Sequence, residues 1–510
     1  MLNIIPKWFL QKRDVPVEKA ILYFSFFFFL LLFVYRVMLI FSFNGEIGGI
    51  DNNFISGVIR MAAGFDIYSN PENLPFSVNQ YPPLYFEISA FCADLFCVDF
   101  DSNPINIYWL CRALSLTYDT LTVLLMFIIL RKNFCINNSI AIMLAVIFFY
   151  ILGFYGYTFS RTDSLYLFFY TFTILRISGK KCPKIINIFF LAILTVFSIF
   201  SKQSGIVLPV IIVYLLVIKG NTKKAFIYFI TAGTLLLTII YFYSLRHPYF
   251  ALNVINGIIN RIDLSWFYGE IFKPFALTLP ALLLYYTFVI SLRYSLNKSD
   301  SKKNQLYTIF IIQFFFSLLI CIKWGSTLGY FYEPFLLSLL LLGIELKTKM
   351  SMYPQLVKKI LRFSLPLIFI FYIYTLSQIH LFFIQEQPIK KKIYYEQSIV
   401  ADYLKKKYPK TYIFESGNVN RNFFKAFCYK NYAFPNYDVI DCCAYPDKMF
   451  NYSNLTNAIV NGQIGVIVTD NNIQPKEIWG INLEKFHYDT SLFQYSIYIH
   501  DKAKNNYLVH

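Results

Sequence analysis

The chain has 510 residues, of which 57% are hydrophobic, 20% aromatic and only 15% charged, whereas soluble globular chains carry about a quarter charged residues. So much apolar surface excludes an ordinary soluble fold and asks for lipid. The net charge of +17 does not point to nucleic acid, because the lysines and arginines cluster between apolar runs, where they set topology and meet anionic lipid head groups.

Lys7, Lys12, Arg13 and Lys19 precede the first apolar run, so residues 1–19 are expected in the cytoplasm. The run at 20–43 is too long for a signal-peptide core and has no small-residue cleavage site, which marks it as a retained anchor. Further basic clusters, at Arg131/Lys132, Arg176/Lys180/Lys181/Lys184, Lys219/Lys223/Lys224, Arg293/Lys298/Lys302/Lys303 and Lys347/Lys349/Lys358/Lys359/Arg362, should face the same side. Two apolar runs lie between successive clusters. Spans are therefore expected at 20–43, 107–130, 138–157, 164–178, 185–200, 205–218, 225–244, 274–293, 305–322, 331–346 and 362–384, an all-α transmembrane bundle of about eleven crossings with its C-terminus outside.

The apolar run at 81–98 breaks this parity and carries Glu87 and Asp94, which are expensive in hydrocarbon. Residues 44–106 are accordingly expected to form one external loop, with an amphipathic juxtamembrane helix near 52–63 and a half-inserted segment after Pro82 and Pro83. A twelfth span at 81–98 is the alternative. Beyond residue 384 charge, Asn and Gly rise. Residues 385–510 are expected to form an external α/β domain, with a helix at 396–407 and strands at 411–414, 464–469 and 495–500. Nine cysteines and five histidines show no metal-type spacing and no disulfide framework; Cys428, Cys442 and Cys443 are expected to be incidental. No internal repeat marks a transporter built from two halves.

In a membrane protein the ionisable groups at the edge of the apolar layer carry the information. With this topology Glu46, Asp51, Arg112, Arg161, Asp163, Lys202, Gln203, Arg246, His247, Lys323 and Glu333 gather at the external face. Taken singly, each also fits an interface side chain reaching for water. Their number on the face that should be poorest in basic residues favours a shared site. Tyr68, Tyr81, Tyr85, Tyr330 and Tyr332 suit stacking on sugar and equally suit an interfacial aromatic belt. Arg36 and Asp119 lie deeper and are expected to neutralise each other.

Several segments, in order, carry a resemblance: 49–51 with Gly49 and Asp51; 59–68 with Arg60, Gly64, Asp66 and Tyr68; Gln80-Tyr81-Pro82-Pro83-Leu84-Tyr85; Cys111-Arg112; Ser160-Arg161-Thr162-Asp163; Ser201-Lys202-Gln203-Ser204; and 323–333, from Lys323 through Gly329 and Tyr330 to Glu333. This ordered set, across 20–384, resembles the GT-C superfamily of membrane glycosyltransferases, in the branch similar to bacterial protein O-mannosyltransferases and the lipid A aminoarabinose transferase. The resemblance implies an inverting enzyme of the bacterial inner membrane. It implies a polyprenyl-phosphate sugar as donor, an acceptor hydroxyl on a glycan, lipid or protein, and contact with membrane lipids. By position, Asp51 matches the family's catalytic aspartate and Asp163 its second acidic residue. The sequence departs from the commoner Asp-Glu pair, because Asn52 follows Asp51 and the nearest glutamate is Glu46.

A phosphate leaving group needs little acid help, so one carboxylate suffices as base. Asp51 is expected in that role, with Arg112, Arg161, Lys202, Arg246 and Lys323 as cations for the leaving phosphate and Gln203, Tyr81, Tyr330, Glu333 and Asp163 lining the substrate site. A divalent cation is compatible with this set, and nothing in it demands one. Asp51 could instead cap the juxtamembrane helix, and Asp163 could simply pair with Arg161 or cap the next span. A lipid-linked sugar flippase or transporter, or a non-catalytic scaffold with an external binding domain, are the rival readings.

Overall fold

A computed structural model describes residues 17–47, 51–154, 159–179, 184–257, 262–276, 278–295, 302–352, 354–416, 423–435, 450–451, 453–470, 477–478 and 481–505. Gly49, Cys442 and Cys443 lie outside the described residues, as does the end of the run predicted to 157.

Helix α1 (Val17–Ile40) is followed by two short helices, α2 (Asp51–Ala62) and α3 (Leu84–Leu95), and then by α4 (Ile105–Ile128). The bundle continues with α5 (Asn138–Phe154), α6 (Thr162–Ile177), α7 (Ile185–Ser201), α8 (Val207–Ile218), α9 (Thr222–Arg246), α10 (Leu264–Phe275), α11 (Leu279–Ser295), α12 (Lys302–Cys321), α13 (Tyr332–Met352) and α14 (Pro354–His380). Each apolar run predicted as a span falls on these helices, although the run at 274–293 crosses the break between α10 and α11. Five helical segments are long and apolar enough to cross a bilayer unaided: Glu18–Ile40, Ile105–Asn133, Thr222–Arg246, Asn304–Cys321 and Leu328–Met350. The bent pair α10 and α11, at 101°, raises the number to six, and three shorter apolar helices stand beside them. The protein is thus a mostly helical, multi-pass membrane protein.

Helix α3 has 12 residues, about 18 Å at the helical rise, too short for a bilayer that needs about 20 residues. Pro83 precedes it and Phe96 caps its end, donating its N–H to the carbonyl of Cys92 at 3.0 Å. Its Glu87 accepts a hydrogen bond from the Tyr243 hydroxyl at 3.0 Å, so the acid that argued against a span has a partner. Helix α2 is amphipathic, with Phe54, Ile55, Val58 and Ile59 buried against Tyr85 and Phe86.

The bundle is assembled by α1 against α5 and α14, α4 against α5 and α6, and α7 against α6 and α9. Arg36 on α1 pairs with Asp119 on α4, and its guanidinium also lies over the rings of Phe149 and Phe159, at 4.9 and 4.6 Å. A single charge at this depth would be costly; the pair and its aromatic walls offset that cost.

Helix α14 runs through a π-helical turn, Leu381–Glu386, directly into α15 (Gln387–Lys407). The composition change expected at 385 therefore falls inside continuous helix. Strands β1 (Tyr412–Ser416), β2 (Ile464–Asp470), β5 (Phe486–Leu492) and β6 (Tyr495–His500) form a sheet in the order β1-β2-β6-β5, with β1 parallel to β2 and the other pairs antiparallel. Strands β3 (Glu477–Ile478) and β4 (Ile481–Asn482) form a separate hairpin. Between β1 and β2 the described helices are α16 (Phe424–Phe427) and α17 (Ser453–Val460), and α18 (Asp501–Asn505) follows β6. Strand β2, apolar from Ile464 to Val468, is the buried centre. Strand β5 has no apolar alternation and escaped prediction; it is an edge strand, held by its hairpin with β6.

Asp489 on β5 ties this sheet to α15. Its carboxylate accepts from the Lys407 ammonium at 2.8 Å, the Tyr408 hydroxyl at 2.6 Å and the Tyr403 hydroxyl at 3.0 Å. Burial alone would raise the Asp489 carboxyl, but bonds from Lys407, Tyr408 and Tyr403 outweigh it and hold the group below its ordinary 3.8. A depressed folded value contributes stability that is complete above the unfolded value and lost as pH falls through the folded one. Asp489→Asn is expected to weaken the sheet by about 1–3 kcal/mol near neutral pH. The difference from the parent protein should vanish in strong acid, as hydrogen exchange over 486–500 at several pH values would measure.

Candidate functional site

Arg112, one helical turn past the buried Tyr108 on α4, is fully buried. It donates to the carbonyl of Ser42 at 2.9 Å and of Ile40 at 3.4 Å, and also to the carbonyl of Asn44. These carbonyls follow the end of α1, where the helix leaves its last acceptors without internal donors. One guanidinium satisfies them and thereby fixes the descent of the chain from α1 toward α2. The sequence reading took Arg112 for a substrate cation; the structure shows its donors turned to the backbone.

At the end of that descent Glu46 and Asp51 cap each other's segments. The Glu46 carboxylate accepts from the backbone N–H groups of Asp51 at 2.8 Å and Asn52 at 3.1 Å, and Asp51 Oδ2 accepts from the N–H of Ile47 at 3.0 Å. The result is a reciprocal cap on α2, and a negative pair at the positive end of a helix. Asp51 does carry the capping contact weighed from sequence, and it is fully buried. The next residue, Asn52, accepts from the Tyr108 hydroxyl at 2.5 Å. The Glu46-to-Asp51 spacing was the available signal for this cap; nothing local marked Tyr108.

A second group stands where α6, α7 and α13 begin or end. Asp163 is paired with Lys202 at 2.6 Å and with Arg161 at 3.2 Å, and all three side chains are almost completely buried. The Lys202 ammonium also lies 4.2 Å from the centre of the Tyr330 ring. Glu333, buried at the start of α13, neighbours Lys202 and Tyr166. One glycine makes this approach feasible, and a second lies close by. A side chain at Gly205 would strike the backbone of Ser198 and Ile199, at 2.7–3.0 Å, so only glycine lets the turn carrying Lys202 fold against α7. A Cβ on Gly329 would sit 3.4 Å from Asp163 Oδ1, which brings the Tyr330 turn up to the acid.

Tyr81 joins from the first long loop. Burial, then Tyr330, raise its hydroxyl above the ordinary tyrosine value, and its charge environment includes Arg161, Asp163 and Lys202. Gln203 ties the same loop down by donating to the carbonyls of Gln80 and, at 3.4 Å, Val254. Around Asp163 the structure thus brings together Tyr81, Arg161, Lys202, Gln203, Tyr330 and Glu333, whereas Asp51 belongs to the cap on α2. Lys323 lies half-buried in the turn bridged to Ile262. Arg246 is exposed at the end of α9 and makes no ion pair among the described residues; its neighbour His247 pairs with Asp66 at 3.0 Å.

A divalent cation finds little room in this donor set. Both Glu46 oxygens accept backbone N–H groups, and both Asp163 oxygens face cations. Among the described residues no three His, Cys, Asp or Glu side chains converge.

An apolar bundle, a first loop carrying two short helices, a buried acid opening the first of them and a small C-terminal sheet define a multi-pass membrane protein. The chain is similar to ArnT from Cupriavidus metallidurans, solved in the apo state, with a TM-score of 0.57 and 12% identity over 92% of this chain and 96% of that one. It is also similar to the Archaeoglobus fulgidus oligosaccharyltransferase, solved with zinc and sulfate, with a TM-score of 0.52 and 12% identity over 93% of this chain and 73% of that one. No family model and no curated protein matches the chain. The resemblance in fold expected from the ordered motifs therefore holds.

Removing the Arg112 clasp leaves buried carbonyls without donors. Arg112→Met is expected to destabilise the protein by about 2–4 kcal/mol, with faster hydrogen exchange concentrated over 40–54.

Proposed function

We propose that the protein is an inverting glycosyltransferase that moves a sugar from a polyprenyl-phosphate donor to an acceptor hydroxyl at the external face of a bacterial inner membrane. In this reading residues 20–384 form the catalytic membrane part, crossing about eleven times, and 385–510 form an extracytoplasmic domain. The observation that carries it is the buried Arg161–Asp163–Lys202 group beside Tyr81, a residue of the same first loop whose opening helix is capped by the buried Asp51 carboxylate, in a chain with the fold of ArnT and the archaeal oligosaccharyltransferase.

The acceptor oxygen attacks the anomeric carbon while its proton passes to Asp51. The bond from that carbon to the phosphate oxygen breaks on the opposite side, and its electron pair leaves with the phosphate. The Ile47 N–H at Asp51 Oδ2 aims the carboxylate. Lys202 and Arg161, held in place by Asp163, are the cations that meet the departing phosphate without reorganisation. Tyr81 and Tyr330 offer ring faces to the sugar. No step requires a metal.

Purified protein in lipid nanodiscs, given labelled polyprenyl-phosphate sugars one at a time, should release label to an acceptor fraction. Asp51→Asn is expected to lower kcat by about 10²–10⁴-fold with a much smaller change in KM for the donor. A flippase or a scaffold would be indifferent to this substitution, so unchanged activity in the variant removes Asp51 from the mechanism. Failure of every donor in the panel overturns the transferase reading.

A further inference from the structure

The first turn of α2 carries three consecutive polar side chains, and each is held from a different direction. Asp51 is met by the loop after α1, through Ile47. Asn52 is met by α4, through Tyr108. Asn53 Oδ1 accepts a 2.9 Å hydrogen bond from the ammonium of Lys425, which arrives from helix α16, 372 residues further along the chain. The same C-terminal segment also presses on the second contact, because the Phe423 ring lies 4.9 Å from that of Tyr108.

Lys425 is only 3% exposed. Burying an ammonium is costly unless it is paired or bonded, and an apolar side chain of similar length would pack at lower cost. Its position beside the opening turn of α2 is also the wrong one for helix stability alone, since the N-terminal end of a helix repels cations. What holds the ammonium there is the side-chain carbonyl of Asn53. Stability of the sheet is thus a poor reason for a lysine at this position, and order in the turn that bears Asp51 is a good one.

We propose that Lys425 is a positioning residue contributed by the C-terminal segment, holding the first turn of α2, and with it Asp51, through Asn53. The relevance to sugar transfer rests on the function proposed above; the positioning itself does not.

The test is hydrogen exchange on the full-length protein in nanodiscs, comparing peptides over 47–57 with those over the sheet. Lys425→Met and Asn53→Ala remove the contact from opposite sides, and both should speed exchange over 47–57 by about tenfold or more, as for loss of one hydrogen bond to a charged group. The Asn53→Ala variant leaves the C-terminal segment intact, so exchange in β2 and β6 should stay at the parent rate. Lys425→Arg, which keeps a donor and the charge, should restore most of the protection. Unchanged exchange over 47–57 in Asn53→Ala overturns the proposal, as does a rise confined to the sheet in Lys425→Met. With an active donor in hand, Asn53→Ala should lower kcat more than it raises KM. If the parent protein transfers no sugar at all, the glycosyltransferase reading falls and the exchange result still decides the positioning.

Discussion

Charge that has left water must be answered by charge or by oriented dipoles, and this requirement organises the functional end of the molecule. Arg112 answers the open carbonyls after α1, Glu46 answers the open N–H groups of α2, and Asp163 answers two cations at once. Each answer joins parts of the chain that are distant in sequence. Arg112 spans about 70 positions to reach Ser42, and Lys202 is 39 positions from Asp163. The site is therefore a by-product of satisfying these groups within a packed bundle, and its geometry is as rigid as those pairings.

The same requirement explains why so many polar residues stand close together without cancelling completely. Asp163 holds Arg161 and Lys202, with Glu333 beside Lys202, and Asp51 and Glu46 hold two acids beside Arg112.

Much of this was legible in the sequence. Apolar length and the placement of lysines predicted each long helix, because both follow from the cost of charge in hydrocarbon, which is local. The awkward run at 81–98 was resolved by Glu87 and Asp94, and the structure has a 12-residue helix there. Strands β1, β2 and β6 were visible through β-branched and aromatic runs, whereas β5, with His487, Asp489 and Ser491, owes its conformation to its neighbour. Partnerships across the fold were not legible. Nothing near Arg112 says that it faces carbonyls, and nothing near Lys425 says that it reaches Asn53, because such pairings are decided by tertiary packing. The sequence could place Arg161, Asp163 and Lys202 at one depth; only the fold separates them from the outlying Arg246.

The unbroken passage from α14 into α15 has a mechanical consequence. Residues 354–407 contain no glycine, and the places where this continuous helix can bend are Pro366 and the π-helical turn followed by Pro388, both causes of sharp kinks in long helices. The second of these lies between the membrane helix and the half on which the sheet rests, so the angle of the sheet to the bundle is set by a turn of helix rather than by a flexible tether.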